Sequence, residues 1–251
     1  MPYQFARERS DYSDLASGRV FHSLPGYPAF PIRLTDEIFQ RCRAQRQAGG
    51  ANNRLTLYDP CCGGAYHLAT LACLHWDSIG SIIASDIDPQ AVELASRNLA
   101  LLTPEGLDRR IGELNEMRRK FGKESHQGAV SSAELLRRRI VSLTKKFPIP
   151  TRVFQASAMD GEFLREELKG VRVDMVFTDV PYGRHSEWRG VVGKDPTPMW
   201  KMLDALLGIL APGSLVTVVA DKGQKAAHER YDRVDKFQIG RRKVMILKPK
   251  S

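Results

Sequence analysis

From position 54 onward, apolar residues alternate between short continuous runs and stretches of helical spacing. The runs at 54–58, 81–85, 151–155, 173–178 and 214–220 read as strands, bounded by Gly, Pro and Asp. Residues 66–75 read as a helix. So does the stretch opened by Asp88 and Pro89, which runs through Ala91, Val92, Leu94, Ala95, Leu99 and Leu102. Asp88 is placed to cap that helix, and Pro89 sits at its first position, where a missing N–H costs nothing. Thr197 and Pro198 open a further helix ending near Leu210, and Ala211-Pro212-Gly213 turns into the next strand. This alternation predicts an α/β fold with a mostly parallel sheet and helices on both faces. The tail, Asp235–Leu247, reads as two strands around Ile239-Gly240-Arg241, a terminal antiparallel hairpin.

Two segments depart from the rhythm. Residues 1–33 carry aromatics, Gly, Pro and Arg without a period and read as an irregular arm. Thr35 is expected to cap a helix over 36–47, with Leu34 and Phe39 as its hydrophobic staple and Asp36 and Glu37 at the positive end of its dipole. Residues 1–50 then form an arm and helix packed on a core domain of 51–251. Within that domain, residues 103–150 form an insertion of two helices, 105–121 and 131–146, joined by a polar loop over 122–128.

With 251 residues and 42% hydrophobic content the chain can bury a substantial core. No apolar run approaches the ~18 residues that span a bilayer. The N-terminal residues have no apolar segment behind them, so the expectation is a cytoplasmic protein with no membrane partner. Cys42, Cys61, Cys62 and Cys73 form no Cys-x-x-Cys pair and have no histidine cluster, which argues against a metal site and for four reduced thiols. The net charge is +9, a useful excess for a polyanion. Residues 103–150 hold eleven Lys/Arg against six Asp/Glu, an excess of five and over half of the total. Arg118, Arg119, Lys120, Arg137 and Arg138 are the candidate phosphate contacts there, although the run 137–139 spans too much helix circumference to share one face. No exposed apolar stripe is legible, which favours a monomer.

The chemistry gathers at strand ends. In open α/β sheets ligands bind beyond the carboxyl ends of the strands. Asp59 ends the first strand, and Gly63 and Gly64 after it let backbone approach a ligand closely. Asp86 ends the second, where a carboxylate can accept both hydroxyls of a ribose. Asp179 ends the fourth. An acid in the first loop would repel a pyrophosphate and suit an ammonium, which favours S-adenosylmethionine over NAD. Tyr66 and His67, at the first turn of the first helix, are within reach of such a cofactor, although an ordinary surface histidine is the favoured reading of His67.

Asp59-Pro60-Cys61-Cys62-Gly63-Gly64-Ala65 is similar to the Asp-Pro-x-Cys-Gly-x-Gly cofactor loop of class I S-adenosylmethionine-dependent methyltransferases, with Ala65 in place of the last glycine. Ser85-Asp86-Ile87-Asp88-Pro89 resembles their ribose-binding strand end, and Asp179-Val180-Pro181-Tyr182-Gly183 resembles the Asp-Pro-Pro-Tyr motif of those that methylate planar nitrogens. The resemblance implies a Rossmann-like seven-stranded sheet. It implies cofactor contacts from Asp59, Cys61, Gly63, Gly64, Asp86, Ile87, Ser157, Ala158 and Asp179. Ser157 falls where the family has an acid near the adenine, and Asp160 is three residues late.

In such enzymes the lone pair of the target nitrogen is delocalised into a ring. Asp179 would accept its hydrogen, the carbonyl of Val180 a second, with Pro181 shaping the turn and Tyr182 offering a flat face to a flipped base. Asp rather than Asn at 179 leans toward guanine, whose N1 must lose a proton. Arg184, Trp188 and Arg189 follow in a loop suited to phosphate contact and stacking. Taken whole, with the Pro25–Pro31 arm and the helical insertion, the chain resembles the avilamycin-resistance 23S ribosomal RNA methyltransferases. That implies guanine methylation, N1 favoured, in 23S RNA or the large-subunit particle, with drug resistance as the outcome and no DNA partner. The motifs by themselves leave open an adenine-N6 or protein-glutamine methyltransferase, or a non-catalytic RNA-binding protein.

Overall fold

The computed structural model describes residues 3–122, 124–180, 196–221 and 223–250. Its strands are β1 (Leu55–Asp59), β2 (Ile79–Asp86), β3 (Thr151–Gln155), β4 (Val173–Asp179), β5 (Leu210–Asp221), β6 (Tyr231–Ile239) and β7 (Arg242–Pro249). They form one seven-stranded sheet in the order β3-β2-β1-β4-β5-β7-β6. Five strands run parallel. The terminal hairpin inserts β7 antiparallel between β5 and β6. This is the architecture that the resemblance implied. The strand order reverses between β1 and β4, which opens a crevice at their carboxyl ends.

The helices are α1 (Ile32–Ala48), α2 (Tyr66–His75), α3 (Pro89–Ala100), α4 (Pro104–Phe121), α5 (Glu124–Lys146), α6 (Gly161–Glu167) and α7 (Pro198–Leu206). Burial along β4 shows how they divide. Met175 and Phe177 pack in one cluster with α1, α2, α3 and the insertion. Val173 and Val176 pack in another with α6 and α7. A strand covered on both faces reads as a near-continuous apolar run; Met175, Val176 and Phe177 supply it here, and the buried Asp174 is paired with Arg46 at 2.7 Å. Full burial of a side chain the size of Phe177 contributes about 2–3 kcal/mol.

Several sequence expectations need correction. The first helix starts at Ile32, four residues before the predicted 36, with Pro31 in the cap position. Thr35 therefore lies inside the helix, where its hydroxyl donates to the Pro31 carbonyl at 3.2 Å. Glu37 does not serve the helix dipole. It is fully buried, and its carboxylate accepts the backbone N–H groups of Gln4, Phe5 and Ala6 at 2.7–2.9 Å and the Arg41 side chain at 2.7 Å. Burial alone would raise its pKa, but these donors outweigh it and hold the carboxyl below its ordinary value. Arg41 in turn reaches Asp235 on β6 at 2.9 Å, so one buried network ties arm, helix and hairpin together.

In the insertion, α4 closes on Gly122 in the left-handed conformation (φ 61°) and α5 already runs from Glu124. The predicted polar loop over 122–128 is mostly helix. Asp160, passed over as a ligand, caps α6 by accepting the Phe163 N–H at 3.0 Å. α7 ends at Leu206 rather than near Leu210, and β5 begins at Leu210 rather than 214.

The arm is bound from several sides. Arg110 donates to the Val20 carbonyl, Arg19 to Ser132 and Ser132 to Asp14, which clamps the arm to α4 and α5. Tyr66 donates to the Leu15 carbonyl and meets Phe21 edge to face. Among the described residues no helix is long and apolar enough to cross a membrane.

Candidate active site

β2, β1 and β4 are neighbours in the sheet, so Asp86, Asp59 and Asp179 end side by side. Above them lies a cavity of about 860 Å³. Its walls are the loop after β1, the ends of β2 and β4, Ser157–Met159 after β3, and Pro25–Phe30 of the arm.

The loop after β1 is fixed by backbone bonds. The Cys62 N–H donates to the Ser85 carbonyl at 2.9 Å, and the Gly63 N–H to an Asp86 carboxylate oxygen at 2.9 Å. Gly63 has φ 50°, a region that glycine enters freely. Ala65 also sits at φ 50°, which costs an alanine about 1–2 kcal/mol and explains why the resembling motif carries glycine there. Gly64 is required for another reason: a Cβ there would stand 2.8 Å from a Leu94 methyl on α3.

The other oxygen of Asp86 accepts the Asp88 N–H at 3.0 Å. Burial, partly opposed by these two donors, raises its pKa above the ordinary carboxylate value. A carboxylate offers roughly four acceptor directions, so two remain for a ligand's hydroxyls. Ile87, Ser157 and Ala158 line the same cavity. Cys61 lines it too. Burial pushes the Cys61 and Cys62 thiols well above their ordinary range, so both stay protonated and inert.

Asp59 is placed differently from the sequence expectation. It is fully buried and is not part of the cavity wall. Its carboxylate accepts the Cys61 N–H at 3.0 Å and stands 3.1 Å from His67 Nε2. His67 is not a surface residue. It is buried, lies 3.3 Å from the Phe177 carbonyl, and forms part of the wall in front of Asp59.

Asp179 and Val180 also line the cavity. The Val180 N–H donates to the Val219 carbonyl at 3.0 Å, which pins the strand end to β5. Pro181, Tyr182, Arg184, Trp188 and Arg189 lie outside the described residues.

Sequence reasoning missed three contributors. Asn98 is fully buried and donates to the Gly64 carbonyl at 2.8 Å and the His22 carbonyl at 3.2 Å, while accepting the His22 N–H at 2.8 Å. It joins the arm to the loop after β1. Its signal was a polar residue on the apolar stripe of α3. His22 and Arg242 also line the cavity, and neither carried a local motif.

The basic insertion is less uniform than its composition. Arg119, Lys120 and Arg138 are exposed. Arg118 donates to Gln127, Arg137 is paired with Asp108, Arg139 donates to the Cys73 carbonyl, and Arg110 is buried against Val20 and Glu113. Arg137 is therefore a weaker phosphate candidate than its neighbours. Among the described residues no cluster of His, Cys, Asp or Glu is arranged to hold a metal ion.

Comparison with known proteins gives one answer. The family model described as rRNA methyltransferase AviRa matches residues 1–242. A 23S rRNA (guanine(2535)-N(1))-methyltransferase from Streptomyces viridochromogenes is 41% identical over 246 residues, covering 98% of this chain and 95% of that protein. Two solved structures of the rRNA methyltransferase aviRa from the same organism, at 2.4 Å and 1.5 Å, superimpose with TM-scores of 0.85 and 0.86. Each is 39% identical and covers 98% of this chain and 96% of its own.

Proposed function

The chain belongs to the AviRa family of rRNA methyltransferases, and we propose that it moves a methyl group from S-adenosylmethionine to N1 of a guanine in 23S ribosomal RNA. The observation that carries this reading is that Asp86 and Asp179, at the carboxyl ends of β2 and β4, line one cavity together with the Gly63-Gly64 turn. The residues present fit the cofactor. Asp86 retains acceptor directions for ribose hydroxyls, Ile87, Ser157 and Ala158 suit an adenine, and the acidic surroundings suit a cationic methionine arm. Asp59 acts on that arm through His67 and the Cys61 N–H rather than by direct contact.

Bound S-adenosylmethionine would supply a methyl group already activated on a positively charged sulfur. The protein's own work is to exclude water, orient the base and take a proton. Asp179 accepts the N1 hydrogen, which restores a usable lone pair on that nitrogen. Val180, held by β5, keeps its carbonyl available to the guanine amine, and Tyr182 provides the stacking face for an extruded base. Arg118, Arg119, Lys120 and Arg138, with Arg184, Trp188 and Arg189, hold the RNA. Methylation at N1 removes a hydrogen-bond donor from the base and adds bulk, which accounts for resistance to a drug that uses that surface.

The test is methylation of 23S RNA, naked and as the large subunit, followed by primer extension and nucleoside analysis. The reading expects 1-methylguanosine and a stop at one guanine. A methylated adenine, or label found only in protein, would refute it.

A further inference from the structure

Arg242 stands in the cavity with no task assigned by the reading above. It opens β7, and its backbone partner on β5 is Asp221. Two residues earlier on β5, Val219 pairs with Asp179. Arg242 therefore sits at the same carboxyl edge of the sheet as Asp179, two strands away, a lateral span of about 10 Å. Both residues line the cavity. Among the described wall residues Arg242 is the only arginine or lysine, and the same wall holds Asp86, Asp88 and Asp179.

Its guanidinium packs against an aromatic ring. The Cζ lies 5.2 Å from the centre of the Phe30 ring, a cation–π contact. Its Nε is buried and has no hydrogen-bond partner among the described residues. A buried donor left without a partner costs about 1–3 kcal/mol, so a small shift of this side chain toward an acceptor in the cavity would be favourable.

Guanine supplies an acceptor of the right kind. O6, N1 and N2 lie in a row on one edge of the base. When N1 loses its proton, the negative charge is shared between N1 and O6. A carboxylate at one end of that edge and a guanidinium at the other would take the proton and stabilise the charge together. Arginine is also the side chain that most often reads guanine O6.

Resting on the guanine-N1 reading, we propose that Arg242 donates to guanine O6 and stabilises the charge that develops as Asp179 takes the N1 proton. The N1 electron pair then forms the bond to the methyl carbon. The carbon–sulfur bond breaks with its pair going to sulfur, the sulfonium becomes a neutral thioether, and the proton stays on Asp179 until it leaves to solvent. Arg242 also sets specificity, since adenine presents an amine donor where guanine presents O6.

The test uses the full-length wild type, Arg242→Gln and Arg242→Lys. It measures single-turnover methyl transfer to 23S RNA against pH, cofactor affinity by calorimetry, RNA affinity, and thermal melting. Removing a donor to a developing oxyanion typically slows turnover about 100- to 1000-fold. Arg242→Gln should show that loss, with the rising limb of its pH profile moved to higher pH and cofactor affinity within about twofold of wild type. Arg242→Lys should recover part of the rate and of the pH shift. A fall in cofactor affinity with an unmoved pH profile would overturn the proposal and place Arg242 on the cofactor carboxylate. Unchanged turnover, or turnover lost only together with melting temperature in both variants, would also overturn it. A wild-type product other than 1-methylguanosine would defeat the underlying reading, and that result comes from the wild type alone.

Discussion

His22 offers a quantitative check on how the arm closes the cavity. Its side chain is 10% exposed and its Nδ1 lies 4.0 Å from Glu113. Burial, with the nearby Arg110 and Arg97 cations, lowers its pKa from 6.5 to about 4, against a weaker opposing pull from Glu113. The folded protein therefore keeps this imidazole neutral where the unfolded chain would protonate it. Stability from this source is fully present above pH 6.5 and is lost as pH falls toward 4. A displacement from 6.5 to about 4 corresponds to about 3 kcal/mol. In His22→Gln the group cannot titrate, while the backbone bonds to Asn98 remain. Urea unfolding at pH 7.5 and 4.5 would measure both proteins. Acidification should cost the wild type about 2–3 kcal/mol more than the variant. At about 2–4 °C per kcal/mol, that is a difference of roughly 4–12 °C in melting temperature. An equal loss in both would show that His22 is solvated and that the arm is not seated as described.

Three further outcomes follow from the geometry. Asn98→Ala removes the bonds that join His22 to Gly64 and should cost about 2–4 kcal/mol in unfolding free energy, with weaker cofactor binding by calorimetry. Gly106→Ala would place a Cβ 1.9 Å from the Ala100 carbonyl oxygen, so thermal melting should show a loss of about 1–3 kcal/mol or more, because the clash is with backbone. Charge reversal at Arg118, Arg119 and Lys120 together should flatten the salt dependence of RNA binding by about 2–3 in log–log slope, whereas Arg137→Gln should change it little, because Asp108 already engages that side chain.

What could be read from the sequence follows from how locally each feature is determined. The strand ends at Asp59, Asp86 and Asp179 were legible because a buried parallel strand must be apolar until it reaches the edge, where an acid marks the crevice. The cap at Asp88 was legible for the same local reason, and its side chain accepts the Gln90 N–H at 3.0 Å. The arm was not. Its course depends on contacts with Asn98, Arg110, Ser132 and Tyr66, remote in sequence, and it carries no period of its own. The cap at Thr35 failed because Pro31 can start the helix a turn earlier, and Glu37 then served the arm. The surface placement favoured for His67 fails, because an isolated histidine gives no hint that Phe30 and Phe177 pack around it. Arg242 carries no local motif, and only the order of β4, β5 and β7 brings it to the cavity.

The central claim is that Asp86 and Asp179 divide the work, one holding the cofactor and the other taking the proton. The most direct measurement is single-turnover methyl transfer to 23S RNA by Asp179→Ala, with cofactor and RNA affinities determined on the same preparation. Loss of a positioned proton acceptor predicts turnover reduced by about 100- to 10,000-fold, with both affinities within a few-fold of wild type. Turnover that persists near the wild-type rate would contradict the account.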